Sequence, residues 1–331
     1  MQLPADLSAA LEERLATQNV RSLASVSGEL SQRYRSGHAR SQQSSETFLH
    51  SQNDVLAYAA YRLPATFAAI YAALAEVQAR RPGWQPRSLL DVGAGPGTAA
   101  WAAATIWPEL EQATLLERDA RMIALGKDLS GHAACSALRH ARWLRAELAM
   151  SSGPENSRYD LVIMAYVLGE IPAMTQEELI ERLWRQTADT LLIVEPGTPR
   201  GFALVRAARE RLLAVNAQTL APCPHNQPCP MSQNDWCHFA QRVSRTRLQR
   251  SVKGGTLSYE DEKFAYAAMS RADGLPIQAR VIRHPQKRSG HVRLDLCTPT
   301  GLKQEVVARS AKERYHMAQD LEWGSTLNEP L

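Results

Sequence analysis

Long apolar runs are missing from this chain. Its most hydrophobic stretch, residues 63–77, is interrupted by Pro64 and Glu76 and falls short of the roughly 20 residues that span a bilayer. The first twelve residues lack a basic segment followed by an apolar one, so they do not read as a secretory leader. Both absences predict a cytoplasmic protein with no membrane partner, in a compartment where thiols stay reduced. Cysteine is scarce, five in 331 residues, and no two lie at the close spacing usual for structural zinc. Disulfides are therefore not expected, and the thiols are free or bind metal. No internal repeat is visible, and the apolar and charged fractions are those of an ordinary globular protein.

Charge is spread unevenly. Residues 1–220 carry 22 Lys+Arg against 23 Asp+Glu, and residues 294–331 carry 4 against 6. Residues 221–293 carry 12 against 5, a local excess of +7 that supplies all of the net +4. A confined basic block suggests a face for an acidic partner, with RNA the first candidate.

Leu7, Leu11 and Leu15 recur at helical spacing after Asp6, a possible cap. The polar stretch from 31 to 53 reads as loop. Asp54 is placed to cap a helix ending near Arg62, and Pro64 opens another whose packed face is Phe67, Ile70, Tyr71, Leu74 and Val77. Past Arg81-Pro82-Gly83 the pattern becomes strand, helix, strand. Short apolar runs at 87–92, 112–117, 141–146, 159–165 and 190–195 alternate with helical stretches at 98–106, 120–129, 175–188 and 201–213. That alternation predicts an α/β fold with a doubly wound, Rossmann-like parallel sheet. Three regions follow: a helical N-terminal region (1–82), a nucleotide-cofactor domain (83–220), and a Cys-rich basic module (221–331). In the last, residues 259–269 read as a short helix, 279–283 and 291–296 as strands, and the tail beyond Trp323 as frayed.

The sequence Asp91-Val92-Gly93-Ala94-Gly95-Pro96-Gly97 sits between a predicted strand and a helix opening at Thr98. Glycines there let the backbone turn sharply and approach a ligand that a side chain would block, and the helix start offers free N–H groups. The last spacing is one residue shorter than the dinucleotide fingerprint, and an acid closes the strand. Both features favour S-adenosylmethionine over NAD. Asp91 is placed to order the loop and approach the ligand's ammonium group. Glu117, at the end of the second strand, is the candidate acceptor for the ribose hydroxyls. Glu147 beyond the third strand is a candidate for the adenine amine, and Tyr166 after the fourth for the pocket wall. The acid-Pro-Pro-aromatic signature of amine methylases is missing there. Ala165-Tyr166-Val167-Leu168-Gly169-Glu170 stands instead, and no catalytic base is assigned.

Cys223, Cys229 and Cys237 fall within fifteen residues, at Cys-x5-Cys-x7-Cys spacing, and Cys297 stands apart. Thiolates are soft ligands for zinc or iron–sulfur centres. Three clustered thiols with neighbouring prolines and a distant fourth fit a cubane cluster better than zinc, which stays as the alternative. His225, Met231 and His238 are possible substitute ligands, and Cys135 reads as structural. Arg242, Arg245, Arg247, Arg250 and Lys253 follow Cys237, and Lys287, Arg288, His291 and Arg293 precede Cys297. If the four thiols share one centre, both basic runs come to the same region and can face phosphate.

The glycine loop, Glu195-Pro196-Gly197-Thr198, the cysteine block, Lys253-Gly254-Gly255 and Tyr259-Glu260-Asp261-Glu262-Lys263-Phe264 together resemble a family of mitochondrial small-ribosomal-subunit methyltransferase-like assembly factors and their bacterial relatives. Residues 31–37 and 56–66 resemble that family's N-terminal region. The resemblance implies an S-adenosylmethionine methyltransferase fold with its cofactor loop at Gly93, Gly95 and Gly97. It also implies a 4Fe-4S cluster on Cys223, Cys229, Cys237 and Cys297, and binding to the small ribosomal subunit and its rRNA during assembly. With no mitochondrial targeting segment evident, the chain looks like a bacterial member.

Overall fold

A computed structural model describes residues 1–16, 51–147, 157–245 and 257–329. The loop readings at 31–50 and 151–156, the N-terminal resemblance at 31–37, and Arg247, Arg250, Lys253, Gly254 and Gly255 lie outside the described residues.

The helical lead-in forms as its spacing predicts. α1 (Ala5–Ala16) buries Leu7, Leu11 and Leu15 on one face. α2 (Gln52–Tyr61) is capped by Ser51 rather than by Asp54. The Ser51 hydroxyl accepts the Asp54 N–H at 3.1 Å and the Asp54 carboxylate accepts the Ser51 N–H at 3.3 Å, a reciprocal capping box. α3 (Leu63–Arg80) carries Pro64 in its first turn and buries Phe67, Ile70, Leu74 and Val77.

From Ser88 onward strands and helices alternate: β1 (Ser88–Val92), α4 (Thr98–Ile106), β2 (Gln112–Glu117), α5 (Ala120–Ser130), the one-turn α6 (Ser136–Arg139), β3 (Arg142–Arg145), β4 (Tyr159–Ala165), α7 (Ala173–Gln186), β5 (Thr187–Pro196) and α8 (Pro199–Leu213). β6 (Gln218–Ala221), β7 (Phe239–Ser244) and β8 (Tyr259–Ser270) complete one large sheet. Its order is β3-β2-β1-β4-β5-β8-β6, with β7 also on β8. The first five strands are parallel and β8 runs against β5. Leu161, Val162 and Ile163 are fully buried, as strands covered on both faces require. The order reverses between β1 and β4, and that switch point opens a crevice at the strands' carboxyl ends.

Residues 259–269 were expected as a helix and form a strand, β8. The alanines of Phe264-Ala-Tyr-Ala-Ala-Met269 carry helix propensity. Burial of 264–270 between β5 on one side and β6 and β7 on the other overrides it. The chain beyond residue 220 thus supplies β7 and β8 to the large sheet before building a second one. That second sheet comprises β9 (Ala279–Val281), β10 (Gln286–Lys287), β11 (His291–Thr298), β12 (Gly301–Ala308) and β13 (Thr326–Leu327), with α9 (Glu313–Asp320) packed on it. The tail expected to fray is held by β13, which pairs with β9.

Arg280 of β9, 1% exposed, fastens this sheet to the remainder. Its Nη1 donates to the Gly324 carbonyl at 2.7 Å and its Nε to the Pro222 carbonyl at 3.1 Å, while Nη2 meets Glu76 of α3 at 2.7 Å. A buried cation needs this degree of pairing, because an unmatched charge in the interior is strongly unfavourable.

Candidate functional site

The turn after β1 lies at the switch point. Gly93, Gly95 and Gly97 have φ of 70°, 54° and 85°, a region that costs residues with a Cβ about 1–2 kcal/mol. Gly93 is also sterically fixed, since a Cβ there would stand 2.3 Å from Val167 Cγ2. Around Gly95 there is nothing within 4 Å of that position, so the loop presents open space where a ligand's backbone approach is needed. The N–H groups of Gly93 and Ala94 both donate to the Leu116 carbonyl at 2.9 Å.

The sequence-predicted acids separate into different tasks. Asp91, 1% exposed, accepts the Ala100 N–H at 3.1 Å beneath the loop, and burial pushes its carboxyl up to about 7. It orders the start of α4. Glu117 braces the loop from the second strand: Oε2 accepts the Gly95 N–H and Oε1 the Asp119 N–H, each at 2.8 Å. Burial raises its carboxyl as well. The Arg118 N–H is also directed at this carboxylate, which has about four acceptor sites, so some capacity remains. Thr98 is buried and its Oγ1 has no hydrogen-bond partner. Glu147 lies on the exposed surface, 3.9 Å from Arg118 Nη1, and Arg118 Nη2 reaches Glu170 at 3.4 Å. Arg118 thus bridges the ends of β3 and β4.

Tyr166 occupies a φ of 61° immediately after β4, a strained position for an aromatic residue. Its hydroxyl donates to Glu262 at 3.1 Å. Glu262 also receives Arg62 through both Nη1 (3.1 Å) and Nη2 (2.9 Å), and the Arg62 guanidinium lies 5.6 Å from the Tyr166 ring centre. Burial, then the Glu262 charge, drives the Tyr166 phenol well up. Arg62 and Glu262 were not expected here: both lie in segments that carry the family resemblance, but 200 residues separate them and nothing in either segment encodes the contact. Tyr58 of α2 is a further addition. Burial pushes its phenol up to about 12, within the fields of Arg62, Glu170 and Glu117. Helix α2 packs against α1, α3 and α5. Glu195, at the end of β5, accepts the Leu168 N–H at 2.8 Å, and burial pushes it up to about 7.

A second site lies between α8, the β6–β7 loop and β11. Cys223, Cys229, Cys237 and Cys297 line one cavity of about 40 Å³ together with Arg206 and Arg209. All five cysteines of the chain are free thiols. Burial first, and then the neighbouring cysteines, push Cys237 well up and Cys297 up to about 12. His225 Nε2 stands 3.6 Å from Cys297 Sγ. Among the described residues, no group of three or more His, Cys, Asp or Glu side chains is gathered so as to hold a metal ion. Cys135 is remote from this cavity, with its thiol near the carbonyls of Pro108 and Leu110.

The two basic runs differ. Arg242 is matched by Asp261 at 2.9 and 3.1 Å and stacks on Tyr259, and Arg245 is matched by Glu260 at 3.1 Å. Lys287, Arg288 and His291 are exposed on the β10–β11 hairpin.

A doubly wound sheet with a glycine loop at its switch point defines the Rossmann-like class of nucleotide-cofactor domain. The chain belongs to the family described as Mitochondrial small ribosomal subunit Rsm22, whose model matches residues 52–328. It is 31% identical over 290 residues to the human "Ribosome assembly protein METTL17, mitochondrial", covering 82% of this chain and 62% of that protein. It is 21% identical over 277 residues to the Saccharomyces cerevisiae "Ribosome assembly protein RSM22, mitochondrial", covering 51% of this chain and 44% of that protein. The chain thus spans less than two thirds of the length of these relatives. Among solved structures, it is similar to a magnesium protoporphyrin IX methyltransferase from Synechocystis with bound SAM, at 12% identity and a TM-score of 0.41, covering 78% of this chain and 99% of that one. Among the described residues, no helix is long and apolar enough to cross a membrane.

Proposed function

We propose that this chain is a cytoplasmic assembly factor of the small ribosomal subunit that binds S-adenosylmethionine at the glycine loop and holds a 4Fe-4S cluster on Cys223, Cys229, Cys237 and Cys297. One observation carries the reading: four thiols spread over 74 sequence positions line a single cavity. The donor set is soft and suited to iron–sulfur or zinc. A single zinc ion requires all its sulfurs at about 2.3 Å, whereas a cluster gives each thiolate its own iron and keeps the thiols further apart. The cluster reading rests on the soft donor set and on the cavity that the four thiols share. Thiols ligate as thiolates, so assembly of the centre releases protons.

The cofactor reading rests on the open space at Gly95, the unpartnered Thr98 hydroxyl and the spare acceptor sites of Glu117. When bound, S-adenosylmethionine supplies an electrophilic methyl group. Gly95 would let the loop backbone approach it, Glu117 would accept its ribose hydroxyls, Tyr166 would line the pocket wall, and Glu147 would meet the adenine amine. Where an acceptor would enter after β4, Tyr166, Glu262 and Arg62 satisfy one another, so the trio offers no free acid or base. That favours a binding role over turnover. The exposed hairpin cations Lys287 and Arg288 supply contacts to rRNA phosphate.

The test is anaerobic reconstitution with iron and sulfide. Brown protein with about four irons per chain, lost in Cys297→Ser, is expected. Tight zinc with no iron uptake would overturn the cluster. Co-sedimentation with small-subunit precursors at low salt is expected, together with retention of labelled cofactor and no label on RNA. Label transferred to rRNA would establish methyl transfer in place of the binding role.

A further inference from the structure

Two buried arginines face the cysteine cavity region, and only one of them has an acid to meet it. Arg280 is matched by Glu76, and the more exposed Arg206 of the cavity wall by Glu210 at 2.8 Å. Arg209 of α8 is 3% exposed, and no carboxylate among the described residues forms an ion pair with it. Its Nη1 donates to the Gln227 carbonyl at 3.0 Å and its Nη2 to the His225 carbonyl at 2.6 Å. Its Nε is buried and has no partner. The same side chain lines the cavity alongside all four thiols.

Carbonyl dipoles satisfy hydrogen bonds but supply no net charge, and an unmatched interior cation is strongly unfavourable. Thiols in their protonated form do not repair that deficit. A 4Fe-4S cluster on four thiolates carries net negative charge and does. We propose that Arg209 is the counter-cation of the cysteine centre. It holds the loop between Cys223 and Cys229 by its two Nη groups and uses its remaining N–H toward sulfur. This inference rests on the cluster reading above. Hydrogen bonds to sulfur and nearby charge are among the factors that set a cluster's potential, and a cation favours the reduced, more negative state. Arg209 is therefore a positioning and charge-balancing residue.

The test uses the full-length protein after reconstitution, with redox titration followed by electron paramagnetic resonance. Arg209→Met should lower the potential by at least about 59 mV, a tenfold change for a one-electron couple. It should also speed iron release to a chelator several-fold. Arg209→Lys keeps the charge without the planar fork, and should recover more than half of the potential shift while releasing iron faster than wild type. Arg87→Met removes an exposed cation that does not line the cavity and should leave the potential in place. Circular dichroism and thermal melting report whether each variant is folded. If Arg209→Met fails to fold, Arg209→Lys decides: a potential as low as that of an iron–sulfur centre with no nearby cation, in a folded protein, overturns the proposal. An unchanged potential and unchanged iron retention in Arg209→Met overturn it as well, while leaving the cluster reading intact. Failure of the wild-type chain to take up iron would instead remove the cluster itself.

Discussion

The Trp236 indole N–H donates to the Gly197 carbonyl at 3.1 Å. Trp236 adjoins Cys237, and Gly197 follows β5, whose Glu195 braces the backbone after β4. A Cβ at Gly197 would stand 2.8 Å from the Lys263 backbone of β8. The cysteine loop, the β5 turn and β8 are therefore packed at one point between the two candidate sites. Trp236→Phe keeps an aromatic ring and leaves the Gly197 carbonyl short of a donor, which is expected to cost about 1 kcal/mol. The contact is expected to couple the two sites, so iron occupancy should change cofactor affinity in the wild type and not in Trp236→Phe. Calorimetric titration of S-adenosylmethionine into reconstituted and iron-free protein checks this. An equal affinity difference between those forms in wild type and variant would remove the link.

The loop glycines are expected to fail in different ways. Gly93→Ala meets Val167 at 2.3 Å inside a packed region, so backbone strain and overpacking add, for a loss of about 2–5 kcal/mol. Gly95→Ala meets no protein atom within 4 Å and is expected to lose only about 1–2 kcal/mol of stability. Its methyl group intrudes on the cofactor's approach, so affinity should fall at least tenfold. Paired melting curves and titrations separate the two cases; equal loss of stability would contradict the geometry.

The parallel part of the sheet was legible because buried strands such as Leu161-Val-Ile163 are apolar throughout and the connecting helices α5 and α7 are amphipathic. The glycine loop was legible because its constraint is local. β8 was not, since Ala265, Ala267 and Ala268 favour a helix when read alone and only the β5 edge makes them a strand. Glu147, expected just beyond the third strand as a candidate for the adenine amine, lies two residues past the end of β3 and is exposed beside Arg118. The bond from Arg62 to Glu262 had no signal in the sequence, because nothing in either neighbourhood encodes a contact 200 positions away. The four cysteines were brought together from spacing and resemblance, and the cavity they line is where that grouping meets the fold.

Asp91 gives a pH dependence with a defined sign. Its ordinary value near 3.8 is raised to about 7 in the folded protein, so between these values the native state binds the proton that the unfolded chain has released. Stability from this group is then greatest below about pH 4 and is lost as pH rises toward 7. Asp91→Asn keeps an acceptor for the Ala100 N–H without the buried charge. It is expected to stabilise the protein at pH 7–8 by up to a few kcal/mol and to be near neutral at pH 4. Urea unfolding at several pH values measures the difference; a variant less stable than wild type at pH 8 would contradict the assignment.

Glu262 anchors the N-terminal helices to β8 through Arg62 and supports the strained Tyr166. The pair is partly screened, at 23% and 14% side-chain exposure, so removing one partner should cost less than the roughly 3–5 kcal/mol of a fully buried ion pair. Glu262→Gln is accordingly expected to lose about 2–3 kcal/mol, reduced from that range for solvent screening. Tyr166→Phe, which removes only the 3.1 Å hydrogen bond, should lose about 0.5–1.5 kcal/mol. The double variant Arg62→Met, Glu262→Leu leaves no orphaned charge and should be more stable than Glu262→Gln. Because the Tyr58 phenol of α2 lies in the fields of both Arg62 and the loop-bracing Glu117, loosening this anchor should also speed cofactor release, so Glu262→Gln should show a faster dissociation rate in stopped-flow measurements. Strict additivity of the Arg62 and Glu262 substitutions in a double-mutant cycle would mean that the ion pair contributes nothing to holding the helix in place.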